Sequence, residues 1–298
     1  MPTSSCSLLK PYIAADVRVN LDEQDILNCP ISTSSAAIKA NSYYFGHSEW
    51  AKNYFESCHR DQVFKSCWQA ATGSWDHKIV VDIGCGPGNL YATLGGKPQL
   101  LIGVDISYGS LKMAQRLGYT PVLADAHNLP FIDEFADIVA VNATLHHCEY
   151  MDQVLAQAAR LVRPGGILIT DHDPQLTAWN FQGFGLWLWN LRLWLYRLIK
   201  RGGHTSAAEQ TWALASEVHH RPGHGVTPEL YYKILEPLGF SVNVYPHNHT
   251  VGAQVFQGRY GKSDKKYRLA QLCSGINPNS PQAALSLMCV ASRHTCRS

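Results

Sequence analysis

Val80-Val81-Asp82-Ile83-Gly84-Cys85-Gly86-Pro87-Gly88-Asn89-Leu90 is the stretch on which the fold turns. An apolar run carries Asp82 near its end and breaks into glycines at alternate positions, Gly84, Gly86 and Gly88, which open a helix. Glycine belongs where the backbone takes a positive φ or where a ligand must touch main chain. A strand, a glycine turn and a helix in this order are a nucleotide-binding device, although one shared by several folds.

The flanking sequence repeats the strand–helix alternation. Ile79–Ile83, Leu100–Val104, Pro121–Ala124, Asp137–Val141 and Ile167–Thr170 are near-continuous apolar runs, as strands covered on both faces require. Leu90–Leu94, Ser110–Leu117 and Met151–Leu161 have helical spacing between them, and Arg163-Pro164-Gly165-Gly166 is a stop before the fifth strand. Thr227-Pro228-Glu229 starts another helix that ends at Gly239, and Ser241–Tyr245 and Leu285–Ala291 supply the last two strands. The prediction is an α/β fold with a doubly wound, mostly parallel, seven-stranded sheet. Residues 1–78 form a helical N-terminal cap, 79–173 the ligand-binding core, and 174–226 an aromatic helical insert. Residues 227–298 complete the sheet and carry a further insertion over 246–284. Ligands of open α/β sheets bind beyond the carboxyl ends of the strands, so the cap and both insertions are expected to cover the site.

Three acidic positions agree with the glycine turn. Asp105 closes the next strand about twenty residues past the loop, where a carboxylate accepts both hydroxyls of a ribose. Asp125, in Ala124-Asp125-Ala126, can accept from an adenine amino group at the following strand end. Asp82 stands ahead of the loop, where it repels the diphosphate of a dinucleotide. That charge, and the Gly-x-Gly-x-Gly spacing in place of Gly-x-Gly-x-x-Gly, argue against a nicotinamide dehydrogenase. Asn142 follows the fourth strand, and His146 and His147 come soon after on the same edge.

These motifs resemble the class I methyltransferases, especially the small-molecule branch that includes quinone C-methyltransferases. The likeness runs from Val80 to Asp173 through Asp82–Gly88, Gly103–Asp105, Asp125–Phe131, Asp137–Val139, Leu145–His147 and Leu161–Gly166, with Arg163 where lysine is common. It implies S-adenosylmethionine as cofactor and S-adenosylhomocysteine as product. By that resemblance Gly84, Cys85 and Gly86 contact the methionine portion and Gly88 completes the turn. Asp105 holds the ribose, with Ile106 beside the adenine. Asp125 and Ala126 flank the adenine, and Asn142 lies under the sulfonium, a ligand charge that Asp82 tolerates. Similar enzymes close a Tyr-bearing helix over the cofactor, which Tyr43 and Tyr44 in Tyr43–Trp50, then Tyr54-Phe55, suggest here.

Histidine titrates near neutrality, so His147, His146, His172 and His220 are the candidate bases; the alternative for the first two is packing against the cofactor loop. His219 joins Tyr43, Tyr44 and Trp187 as a candidate substrate contact. No metal site is expected, since Pro222, Gly223 and Gly225 deny His219, His220 and His224 a regular helix face.

The span Trp179–Arg201 is rich in Trp and Leu, with Phe184, Trp187, Leu188, Leu191, Trp194, Leu195 and Leu198 in one helical stripe and no acid between Asp173 and Glu209. It reads as a wall of an apolar pocket, as a helix packed on the core, or as a peripheral membrane contact through residues 179–201.

Composition narrows the partners. The chain has 298 residues, 46% apolar and 16% charged, enough for a large core. A net charge of +2 and the absence of an Asn/Asp-Pro-Pro-aromatic loop after the fourth strand disfavour nucleic acid. Nine cysteines without a Cys-x-x-Cys pair, and no apolar leader, suggest the cytoplasm. The expectation is methyl transfer to oxygen or nitrogen of a small, largely apolar molecule in specialised metabolism. The alternatives are methylation of a lipid or isoprenoid quinone at a membrane surface, and a non-catalytic cofactor-binding partner protein.

Overall fold

The computed structural model describes residues 4–31, 35–45, 61–198 and 215–295. Its centre is a sheet in the order β1-β2-β5-β4-β3-β6-β7-β9-β8. The strands are β1 Asn20–Leu21, β2 Leu27–Asn28, β3 Ile79–Ile83, β4 Leu100–Asp105, β5 Thr120–Leu123, β6 Ala136–Asn142, β7 Val162–Pro174, β8 Phe240–His247 and β9 Ser286–Arg293. From β2 to β7 all pairs are parallel; β9 runs antiparallel to both β7 and β8. The glycine-rich Arg163–Gly166 stretch lies inside β7, where the β6–β7 register shifts, rather than ahead of that strand.

Alternation along β3 shows why both sheet faces are covered. Val81 and Ile83 join a core that includes Val139, Val141, Val154, Leu155 and Tyr231, while Val80 joins Trp68, Leu111, Ile138 and Ile169. Helices α6 (Met151–Leu161) and α9 (Pro228–Leu235) therefore lie on one face. Helices α3 (Gln62–Thr72), α4 (Asn89–Leu94) and α5 (Tyr108–Arg116) lie on the other. Near-continuous burial of the strands follows from this double cover.

The sheet has two strands more than the expected seven. Residues 1–78 are not only a helical cap. After α1 (Ser5–Leu9), a short β1–β2 hairpin adds itself to β5 in parallel register, Leu27 against Val122. Asp25 clasps the start of α1, accepting from Ser5 N–H and from the Ser4 and Ser5 hydroxyls. Each strand is two residues long, too short to show a period in sequence. Helix α2 (Ala36–Phe45) follows; Gly46–Trp50, Tyr54 and Phe55 of the expected lid lie outside the described residues.

The aromatic insert also differs from one helix over 179–201. A short α7 (Leu176–Trp179) breaks at Asn180–Gln182, and α8 runs Gly183–Leu198 with Gly183 at φ +50°; residues 199–201 lie outside the description. Helix α8 packs on α10 (Lys265–Cys273) from the second insertion. A Cβ at Gly185 would lie 2.4 Å from the Ala270 carbonyl, so glycine there lets the helices cross closely. Ala178, Trp179, Phe181, Trp189, Ala270 and Leu285 form a separate small core. The described parts of the two insertions thus share this small core.

Candidate active site

The chain runs from β3 outward to β4 and β5, then returns to place β6 on the other side of β3. That reversal leaves a crevice at the carboxyl ends of β3 and β6, the usual ligand position in such sheets. A cavity of about 1000 Å³ occupies it. The glycine loop forms one wall, held to β4 by Gly84 N–H and Cys85 N–H donating to the Val104 carbonyl. Gly84, at φ +69°, abuts Thr144: a Cβ would fall 2.2 Å from its Oγ1. Thr144 Oγ1 in turn donates to the Ile83 carbonyl at 3.2 Å, locking the β3 and β6 loops together.

The three carboxylates expected at the site all line this cavity. Asp105 accepts Gly86 N–H at 2.8 Å and Ser107 N–H at 2.7 Å. Burial nonetheless raises its pKa to about 6, against the pull of those amides. Asp82 accepts the Tyr119 hydroxyl at 2.7 Å; burial, with nearby Asp105, raises it to about 7. Burial opposes ionisation of Asp125 too, but His127 prevails and holds it below the usual carboxylate value, with Nδ1 2.6 Å from its Oδ1. The described lining contains Glu149 as a fourth acid and neither Lys nor Arg. Its field suits a ligand bearing an ammonium and hydroxyl donors and opposes a diphosphate.

Cys85, Gly86, Ile106, Ala126, Asn142 and His147 line the same cavity. His147 Nδ1–H donates to the Ser216 carbonyl at 2.7 Å, which leaves Nε2 as the acceptor. Burial lowers its pKa to about 3, so the ring is neutral. Other expected residues lie elsewhere. Gly88 caps α4 at φ +89° without lining the cavity. His146 sits behind His147, with Nδ1 2.8 Å from Asp173, and burial lowers it to about 3 as well. His219 donates its N–H to the His146 carbonyl, and His220 packs edge-on to Trp179 while pairing with Glu217. Tyr43 and Trp187 are exposed and line nothing here; the Tyr44 side chain is outside the description.

His172 lies in a second cavity, of about 300 Å³, with Asp61, Phe64, Cys67, Asp171, His247 and His249. Asp171 organises that cluster, accepting from Trp68 Nε1–H at 2.9 Å, His247 Nε2–H at 2.7 Å and His172 N–H at 2.7 Å. Among the described residues no group of three His, Cys, Asp or Glu is placed to hold a metal.

The sequence did not reveal the face of α2 that roofs the first cavity. Ala37, Asn41 and Phe45, four residues apart, line it together with Ile38, in the way one helix face repeats at i, i+3 and i+4. Asn41 Nδ2 donates to the His147 and Ser216 carbonyls at 3.4 and 3.3 Å, tying roof to floor. Neither insertion contributes a described residue to the lining; among the described residues the first insertion approaches it from behind, through Ser216 on His147 and His219 on His146.

The donor set fits the expected cofactor. Asn89 Oδ1 is buried beside the loop with no partner among the described residues, and a Cβ on Gly86 would meet no atom within 4 Å. An open backbone and an unsatisfied acceptor are what a bound amino-acid nucleoside would complete.

Residues 81–170 match a family model described as a methyltransferase domain. The chain carries a class I S-adenosylmethionine-dependent methyltransferase domain. S-adenosylmethionine is the cofactor of this domain. The tRNA (carboxymethyluridine(34)-5-O)-methyltransferase of Arabidopsis thaliana is 37% identical over 191 residues, 57% of this chain and 46% of that protein. The demethylmenaquinone methyltransferase of Thermobifida fusca is 28% identical, over 37% of this chain and 50% of its own length. The chain thus spans about half the length of these relatives. A Haemonchus contortus phosphoethanolamine N-methyltransferase, solved with phosphomonomethylethanolamine and S-adenosylhomocysteine, superposes with a TM-score of 0.54 at 13% identity. That superposition covers 90% of this chain and 62% of that one, and it shows a shared methyltransferase fold around the cavity.

Proposed function

We propose that this chain is a methyltransferase that modifies oxygen or nitrogen of a small, largely apolar molecule, such as an intermediate of specialised metabolism. The observation that carries the reading is the roofed cavity, with Asp82, Asp105 and Asp125 around the glycine loop and His147 on its floor. Bound S-adenosylmethionine supplies an electrophilic methyl group on a good sulfonium leaving group. The carboxylates of Asp105 and Asp125 receive its hydroxyl and amino donors, and the Asp82–Asp105 field balances its positive charge. Helix α2 excludes water and holds the acceptor in place, an orientation effect worth roughly 7 to 11 kcal/mol in favourable cases. The neutral His147 Nε2 can accept a hydrogen bond from an oxygen or nitrogen acceptor and so aim its lone pair at the methyl. With a pKa lowered to about 3 it orients the acceptor rather than acting as a strong base, and the proton is lost to solvent after transfer. Apolar lining from Ala37, Ile38, Phe45 and Cys148 favours an acceptor of little charge.

The test is calorimetry with S-adenosylhomocysteine, then mass-spectrometric detection of methylated product from a panel of phenols, quinols and amines. The panel includes tRNA, the substrate named for the Arabidopsis relative; the described lining, acidic and without Lys or Arg, disfavours a polyphosphate there. Cofactor binding with turnover on a small acceptor is expected. Binding of a dinucleotide in place of S-adenosylhomocysteine, or turnover confined to tRNA, would overturn the reading.

A further inference from the structure

The apolar stripe of α8 faces outward. Phe184, Trp187, Trp194 and Leu198 are 51 to 61% exposed, and Leu195 accompanies them. Beside them on α10, Leu269 and Leu272 are 54 and 60% exposed. Scattered exposed leucines need no explanation, but seven large apolar side chains on two packed helices do. The opposite face of α8 is occupied: Trp189 packs with Trp179, Phe181 and Tyr267 in the small insertion core, so the outer stripe has a rigid backing.

Charge distinguishes the partner. Over 259–268, beside the exposed leucines of α10, the sequence carries five Lys or Arg against the single acid Asp264. The whole chain has 25 basic and 23 acidic side chains, so the remainder is net acidic. Lys262, Lys265 and Lys266 stand exposed next to the apolar surface. A protruding aromatic and leucine surface flanked by cations matches an anionic lipid surface, with side chains in the acyl boundary and ammonium groups among phosphates. Single-stranded RNA would also attract cations and aromatics, but Leu195, Leu198, Leu269 and Leu272 have no π-face for a base to stack on. Among the described residues no helix is long and apolar enough to span a membrane.

We propose that the outer face of α8 and α10 docks this protein on the surface of an anionic membrane, lying in its plane. The claim is independent of the methyl-transfer reading and concerns a face away from the described cavity lining.

The full chain is sedimented with phosphatidylcholine vesicles with and without phosphatidylglycerol, at low and high salt. Binding to the anionic vesicles, weakened by salt, is expected. Trp187→Ser with Trp194→Ser should weaken it roughly tenfold or more, and Lys265→Glu with Lys266→Glu should do the same at low salt. Unfolding midpoint and S-adenosylhomocysteine affinity should hold for the lysine pair, which is exposed and guards against a folding artefact in the tryptophan pair. No binding to anionic vesicles overturns the proposal, as does binding indifferent to both pairs. Capture of tRNA without vesicles, or a stable dimer through this face without vesicles, overturns it too.

Discussion

Asp105 is oriented before any ligand arrives, because Gly86 N–H and Ser107 N–H each hold one of its oxygens. Its replacement should therefore remove a prepared acceptor, not merely a charge. Asp105→Ala is expected to weaken S-adenosylhomocysteine by more than about tenfold in calorimetry, since two hydroxyls lose an ionised partner. Unchanged affinity would refute the ribose role. The same carboxylate carries a pH signature. Burial raises Asp105 to about 6 and Asp82 to about 7, both above their ordinary 3.8. A carboxyl raised on folding favours the fold below its ordinary value and loses that contribution as pH rises through the higher one. A cofactor that donates hydroxyls and brings positive charge favours the ionised forms, so its binding should release protons near pH 6 to 7. Affinity should fall as pH drops through that window. Calorimetry in buffers of different ionisation heat reads both effects, and a pH-independent affinity with no proton release would contradict them.

Within the loop between β3 and α4, two glycines do different work. Gly84 combines φ +69° with contact against Thr144, so Gly84→Ala has both backbone strain and a clash. A loss of roughly 2 kcal/mol or more in urea unfolding is expected, with cofactor affinity falling alongside. Gly86 has φ +52° and open space where a Cβ would go. Gly86→Ala should cost only about 1 kcal/mol of stability, yet should impair S-adenosylhomocysteine binding because the methyl enters the cofactor's approach. Equal effects of the two variants on stability would show that the loop is not shaped as described. The glycine spacing was legible in sequence because a turn is a local matter. The roofing face of α2 was not: the conspicuous Tyr43 turned out exposed, and the quieter Ala37, Ile38, Asn41 and Phe45 met the cavity. Helical spacing shows which residues share a face, but not which face the rest of the chain covers.

Across the molecule, Asp171 joins elements that the sequence keeps far apart. It ties Trp68 of α3 and His247 of β8 to the end of β7, in a setting where His172 and His247 overcome burial and keep it ionised. Asp171→Ala should leave two buried donors unpaired, lowering stability in urea by about 2 to 4 kcal/mol. A change under about 0.5 kcal/mol would mean that the cluster does not bind these elements together. Similar long-range pairings decided the roles of the histidines. His147 faces the cavity because Ser216, 69 residues on, takes its Nδ1–H, whereas His146 is drawn back by Asp173 and His172 by the second cavity.

The sequence alone determined the alternation of strands and helices from Ile79 to Thr170, the glycine turn and the strand-end positions of Asp82, Asp105 and Asp125. Each depends on conformational preferences and burial patterns within a few neighbouring residues. Tertiary structure alone decided that the N-terminal segment adds β1 and β2, that Tyr119 restrains Asp82 from 37 residues away, and that the α8 stripe faces outward. Those outcomes rest on contacts between distant parts of the chain, whose partners no local pattern specifies.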